Sequence, residues 1–245
     1  MGKIGVISDI HGNLQALNAI LAHLDAQSCD EIIHTGDVVD IGPNSRECMD
    51  VLLSRNDVTL LLGNHDRDFV LNEAETRFLS HVPSEHKRHV FDTMDKRHRI
   101  AASKFPLYVT RNVAGKTLLF THYAFKDEPF DIAKFPFAPL TQFPTAEQFD
   151  EMFKHISFDA VFFGHKHEPC DIVGKRLYVD VGSVGCHPRP MARGIIIDYD
   201  ETSWSYTRVE VPYDMEAMRK SLFAIPAGEH LYNFYFLRLG AKDRR

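Results

Sequence analysis

Asp9 and His11 stand two residues apart directly after the short apolar run of residues 4–7. The arrangement recurs along the chain. Asp37 follows HTG, Asn64 and His65 follow LLLG, His122 follows LLFT, and His165 and His167 follow FFG. Taken singly, an Asp after a strand is often a helix cap and a His is often a surface or hydrogen-bonded residue. Five such placements at the same point of a strand unit read differently, because chance would scatter these residues between both strand ends. Carboxylate, amide and imidazole are donors for divalent cations. A hydrolytic two-metal site needs a bridging carboxylate, several terminal ligands and open positions for water and a phosphoryl oxygen. The inventory meets that need. Neutral imidazoles favour Zn, Fe, Ni or Mn over Mg, while the carboxylate and amide oxygens also accept harder ions. The expected cofactors are two divalent transition metal ions (Mn, Fe, Zn or Ni), with identity undecided.

The elements that would position these groups follow from periodicity. The run of residues 4–7 contains β-branched residues and is short, which suits a buried strand. In NLQALNAILAHLDA, Leu14, Leu17, Ile20, Leu21 and Leu24 recur at helical spacing behind Asn13, a plausible N-cap. EIIHTG then reads as a strand, SRECMDVLLSR as a helix and DVTLLLG as a strand. Such alternation predicts a parallel sheet, whose ligand sites lie beyond the carboxyl ends of its strands. LYVTRNV and KTLLFTH form a hairpin through Ala114 and Gly115, TAEQFDEMFKH a short helix, and FDAVFFG a buried strand. KRLYVDVGS, ARGIIIDYD and SWSYTRVEV read as an antiparallel series completing a second sheet. The economical reading is an α/β chain with a single domain over 1–245. It carries a helical, cap-like insertion at about 67–104 and an aromatic loop at about 123–144.

With 245 residues, 44% of them hydrophobic, the chain can build a full core. A net charge of −6 gives no electrostatic reason to expect generic nucleic-acid or membrane binding. A small phosphorylated substrate, such as a nucleotide, stays open. Cys29, Cys48, Cys170 and Cys186 form no CxxC pair and read as free thiols of a reducing cytoplasm. Neither a signal peptide nor an apolar run of spanning length is recognisable, so a soluble, cytoplasmic protein is expected.

DIHGN, GDVVDIGPN, GNHD, FTH and GHKH, in this order, resemble the motif set of the calcineurin-like metallophosphoesterase family. The resemblance runs from residue 4 to about residue 198. The bacterial predicted phosphodiesterase and diadenosine tetraphosphatase-like subset is most similar, through GPN after the second motif and the late VDVGSVG turn. The resemblance implies a four-layer α/β/β/α sandwich of two mixed sheets flanked by helices. It also implies that Asp9, His11 and His167 hold one metal, Asp37 bridges, and Asn64, His122 and His165 hold the other. His65 matches the family's non-ligand histidine, placed to meet the leaving-group oxygen, with Asp66 as the carboxylate that orients it. The implied activity is attack of a metal-held hydroxide on a phosphodiester or nucleotide. The rivals are a phosphomonoesterase, including a protein phosphatase, and a non-catalytic metal-binding scaffold. The scaffold has no physical need for the acid His65. Two departures from the family bear on the substrate pocket: Tyr123, Ala124 and Phe125 after His122, and Asp180 and Val181 in the late turn.

Other features have competing readings. Cys186, His187, Arg189 and Arg193 form either a phosphate grip or a solvated loop. The histidines of residues 81–98 read as solvated helix faces rather than an extra metal site. Phe125, Phe130, Phe135, Phe137 and Phe143 offer stacking faces for a base, or a satellite core. The apolar tail HLYNFYFLRLG either docks on the domain or makes a homo-oligomer contact.

Overall fold

The segment after Met1, carrying Ile4, Val6 and Ile7, forms β1 (Gly2–Ile7), which pairs in parallel with β2 (Glu31–His34). β2 pairs in parallel with β3 (Val58–Leu60). The structure, a computed structural model, describes residues 1–74, 82–141 and 144–237. On the other side of β1 lie β9 (Met191–Tyr199), antiparallel to β1, and β10 (Trp204–Pro212), antiparallel to β9, giving the order β10-β9-β1-β2-β3. A second five-stranded sheet contains β4 (Tyr108–Val113), β5 (Lys116–Thr121), β6 (Ala160–Phe163), β8 (Leu177–Asp180) and β7 (Cys170–Val173), in that order. Within it β5, β6 and β8 are parallel, and β4 and β7 are antiparallel edges. Both sheets are mixed.

Strand alternation divides the core. Ile4, Val6, Ile33 and Leu61 from the first sheet meet Leu118, Phe120, Ala160, Phe162 and Val179 from the second, with Phe120 and Phe162 stacked at 5.4 Å. The intervening residues face outward to helices. Gly5 lies against Leu24 of α1 (Leu14–Ala26) because any Cβ there would meet the leucine side chain. Phe163 packs at 5.3 Å on Phe149 of α6 (Ala146–Met152). Both helices start where the sequence places them. Asn13 accepts the Ala16 N–H, and Thr145 and Gln148 cap reciprocally. This is the expected sandwich with helices outside two sheets. Among the described residues no helix is long and apolar enough to cross a membrane.

Two expectations need correction. β9 and β10 do not complete the second sheet. The turn after β8 crosses to the first sheet, with Val184 N–H donating to Ser8 O at 2.9 Å, and β9 then pairs with β1. β7 has little signature in the sequence, since its four residues behind Pro169 are only half-buried or exposed. Nor are the helices after residue 67 simply solvated. In α4 (Ser84–Thr93) His86, Lys87, Val90 and Phe91 are buried, as is His98 in α5 (Lys96–Ala102). Lys87 is held by Asp68 at 2.8 Å and His98 by Asp50 at 2.7 Å, so each buried nitrogen has a carboxylate partner. In the aromatic stretch Phe125 and Phe137 are buried and Phe130 is exposed, while Phe143 lies outside the described residues. As far as Leu237 the tail docks. Leu231 and Phe236 pack with Met218 and Leu222 of α7 (Met215–Phe223), and with Ile41 and Cys186.

Candidate metal centre

Five parallel strand ends, those of β1, β2, β3, β5 and β6, open on one edge of the sandwich. Asp9, His11, Asp37, Asn64, His122, His165 and His167 follow these ends, and the fold brings all seven together. Five of them take left-handed backbone: Asp9 (φ 54°), His11 (47°), Asp37 (64°), His165 (72°) and His167 (64°). For non-glycine residues this costs on the order of 1–2 kcal/mol each, so the surroundings must hold it. They do so by continuing strand-like pairing into the loops. Asp9 N–H donates to Gly36 O and His11 N–H to Asp37 O, both at 3.0 Å. The glycines of GNH and GHKH allow the close approach. A Cβ on Gly63 would strike Asp37, and one on Gly164 would strike Ser8 and Asp9.

His122 Nε2 lies 2.9 Å from Asn64 Oδ1, 3.1 Å from His165 Nδ1 and 3.2 Å from Asp37 Oδ2. On the other side His11 Nε2 lies 3.0 Å from His167 Nε2, 3.6 Å from Asp9 Oδ1 and 3.8 Å from Asp37 Oδ2. Donors about 2.1 Å from one ion at 90–110° are about 3.0–3.4 Å apart, which is close to the spacing of both groups. Asp37 Oδ2 belongs to both. The tautomers suit ligation, because Nδ1–H of His11 donates to Val39 O and Nδ1–H of His122 to Thr35 O, turning each Nε2 inward. Two buried polar atoms in the cluster, Asp9 Oδ1 and Asn64 Nδ2, have no hydrogen-bond partner among the described residues.

Charge reinforces the fit. Burial would raise the Asp9 and Asp37 carboxyls, but His167 and His11 beside the first, and His122 beside the second, hold both far below the usual range. Burial would lower His122, yet Asp37 lifts it to about 9; His165, desolvated and set beside the His122 charge, falls to about 3. The pocket thus concentrates anionic oxygens and neutral imidazoles, and His122 keeps a proton that a cation would displace.

The carboxylate that orients His65 is Asp40. Nδ1–H of His65 donates to Asp40 Oδ2 at 2.8 Å, while His65 packs edge-on against His11 at 4.7 Å. The expectation for Asp66 is therefore corrected. Its oxygens accept the backbone N–H groups of Asp37 (2.8 Å), Val38 (3.0 Å), Val39 (3.3 Å) and Gly63 (3.1 Å). Asp66 sits in the first turn of α3 (Asn64–Leu71), where a carboxylate finds free N–H groups. It clamps the Asp37 loop. Asp66→Ala would orphan four buried donors at about 1–3 kcal/mol each, so we expect it to destabilise even the metal-free protein by at least about 3 kcal/mol. Chemical denaturation measures this, and a loss under about 1 kcal/mol would disprove the clamp.

Sequence reasoning missed other members. Asp40 closes the GDVVD stretch, and its Oδ1 lies 3.6 Å from Nε2 of buried His86, whose Nδ1–H donates to Pro226 O. His34, fully buried at the end of β2, is kept neutral by burial, at about 3. Of the suggested phosphate grip, Arg189 and Arg193 both pair with Glu210, at 2.9 and 3.0 Å. Cys186 lies instead beside the His11 and His167 imidazoles.

Residues 2–202 match the model of the calcineurin-like phosphoesterase superfamily domain. A protein of Methanocaldococcus jannaschii, described as uncharacterised, is 25% identical over 229 residues, covering 87% of this chain and 88% of that protein. Among solved structures, a metallophosphoesterase from Sphaerobacter thermophilus superposes with TM-score 0.72 at 21% identity, covering 94% of this chain and 98% of that one. A hypothetical protein of Pyrococcus horikoshii superposes with TM-score 0.75 at 17% identity, covering 96% and 98%. These likenesses are of fold.

Proposed function

Because the chain belongs to the calcineurin-like phosphoesterase superfamily, we propose that it is a dinuclear metal-dependent phosphoesterase acting on phosphodiester or nucleotide substrates. When bound, two divalent ions would supply an acidified water and positive charge for the phosphoryl oxygens. Asp9, His11 and His167 would hold one ion, Asn64, His122 and His165 the other, and Asp37 would touch both. The observation that carries the diester preference is the His65–Asp40 pair. His65 is 5% exposed, spends Nδ1 on a buried carboxylate and leaves its other nitrogen for the site. Asp37 and Asp40 outweigh burial and raise the His65 pKa, favouring an imidazolium that can protonate a departing alkoxide. Such an acid matters most for a poor leaving group, as in an alkyl or nucleoside diester.

The test is a panel of mono-, di- and dinucleoside polyphosphate esters assayed with Mn²⁺, Fe²⁺, Zn²⁺ and Ni²⁺ forms, with metal content measured in parallel. We expect two equivalents of metal and the highest kcat/KM on diesters. Faster monoester turnover would assign a phosphomonoesterase. Two bound metals without turnover of any ester would assign a scaffold.

A further inference from the structure

We propose that Cys186 supplies a sulfur donor to the ion held by Asp9, His11 and His167, and so sets which metal occupies that position. The inference rests on the metal-centre reading above but concerns a residue outside its ligand set. β8 runs parallel to β6, so its carboxyl end opens on the same edge as the other five strand ends. The turn that follows is tied to the first of those ends. Gly185 N–H and Ser183 Oγ–H both donate to Asp9 O, at 3.0 and 2.8 Å, and Cys186 N–H donates to Ser183 Oγ at 2.8 Å. Cys186 thereby places metal-binding chemistry after a sixth strand end. Its Sγ and one ring nitrogen each of His11 and His167 all lie within 4.8 Å of one another.

A second observation points into the same gap. Asp9 Oδ1 is fully buried and has no hydrogen-bond partner among the described residues, and it lies 3.3 Å from His167 Nε2 and 3.6 Å from His11 Nε2. Two imidazoles and a thiol therefore lie together, and the uncommitted oxygen lies beside the same two imidazoles. Nitrogen and sulfur donors of one tetrahedral zinc-sized ion are about 3.6 Å apart, so a group whose atoms lie within 4.8 Å closes on a single ion with side-chain shifts of no more than about an ångström. Cys186 is fully buried in an apolar cluster that includes Ile41, Met218 and Leu222. Binding would need no oxidant. The S–H proton leaves to solvent as the sulfur–metal bond forms, and the metal keeps its oxidation state. A soft donor in this position favours Zn²⁺, Co²⁺ or Fe²⁺ over Mn²⁺ and Mg²⁺.

Cobalt is the probe. The full chain loaded with two equivalents of Co²⁺ should show a near-ultraviolet thiolate-to-cobalt charge-transfer band. Cys186→Ala should abolish it and weaken Co²⁺ and Zn²⁺ at one of the two positions by at least about tenfold. The Mn²⁺ affinity should change less, and Cys186→Ser should shift the preference toward Mn²⁺. Cys48 of α2 (Ser45–Leu53), equally buried but in none of the donor groups, gives the control: Cys48→Ala should keep the band. Metal-free melting checks that each variant folds. Two bound Co²⁺ without a charge-transfer band, or unchanged affinities in a folded Cys186→Ala, would make the cysteine a core filler and leave the two-metal reading intact. Wild-type protein that binds no Co²⁺, Zn²⁺ or Mn²⁺ would overturn both.

Discussion

Asp37→Ala is expected to release both metals, not one, and to lower turnover by at least about 10³-fold. Asp37 Oδ2 is the only carboxylate oxygen placed within 4 Å of imidazole nitrogens in both groups, 3.2 Å from His122 and 3.8 Å from His11 among the described residues. A terminal ligand can be replaced by water, whereas one anion balancing two cations at close range has no substitute. In a two-metal phosphoesterase its loss would remove several kcal/mol from charge stabilisation at the phosphoryl group, and each ~1.4 kcal/mol is tenfold in rate. Asp37 Oδ1 also accepts the His65 N–H at 2.8 Å, so the alanine variant frees the first turn of α3 as well. Asp37→Asn separates these effects, since it retains an acceptor and removes the charge. Elemental analysis reads the stoichiometry, and metal-dependent thermal stabilisation gives a second readout. A site at a hundred times its Kd stabilises by about 2.7 kcal/mol, and both variants should lose most of that increment. Two retained equivalents in Asp37→Asn would refute the bridging role.

Why the seven clustered residues were legible, while the pairing of His65 was not, has a physical explanation. Each cluster member follows a short β-branched or aromatic run with strand periodicity, and parallel strands gather their carboxyl ends on one edge. Glycine at 63 and 164 marks places where the backbone must pass against a carboxylate. The partner of His65 is another matter. Sequence adjacency suggests Asp66, but consecutive residues on a helix diverge by about 100° and do not face each other. Asp66 turns back to the free N–H groups around Gly63 and Asp37, and a loop residue 25 positions upstream reaches the imidazole. The sheet membership of β9 and β10 was hidden for a similar reason. Alternation identifies a strand and its hairpin, but which sheet receives the hairpin depends on a crossover read only from Val184 and Gly185 binding the β1 loop. The burial of Lys87 and His98 in charge-rich helices likewise rests on Asp68 and Asp50, distant partners with no local signature.

The Asp40–His65 pair makes the last prediction. If His65 only braces its neighbour Asn64, then His65→Ala should slow every ester by the same factor, because metal geometry would suffer whatever the leaving group. A proton donor acts otherwise. It is needed when the departing oxygen is strongly basic, as in a ribose alkoxide, and scarcely needed for nitrophenolate. General acid catalysis typically contributes about 10²–10⁴-fold, so His65→Ala should lose that much on alkyl diesters and clearly less on nitrophenyl esters, with metal content unchanged. Asp40→Asn should show the same leaving-group dependence with a smaller loss, since it keeps a partner at 2.8 Å from Nδ1 but removes the charge that favours the imidazolium. If Asp40 acts through His65 alone, the double variant should be no slower than His65→Ala, because groups working as one unit are not additive. The measurement is kcat for the wild type and three variants over diesters graded by leaving-group pKa. Parallel lines for His65→Ala and wild type would remove the acid role. A double variant slower than His65→Ala by the full Asp40→Asn factor would mean that Asp40 supports the site by another route, through Ile41 N–H or His86.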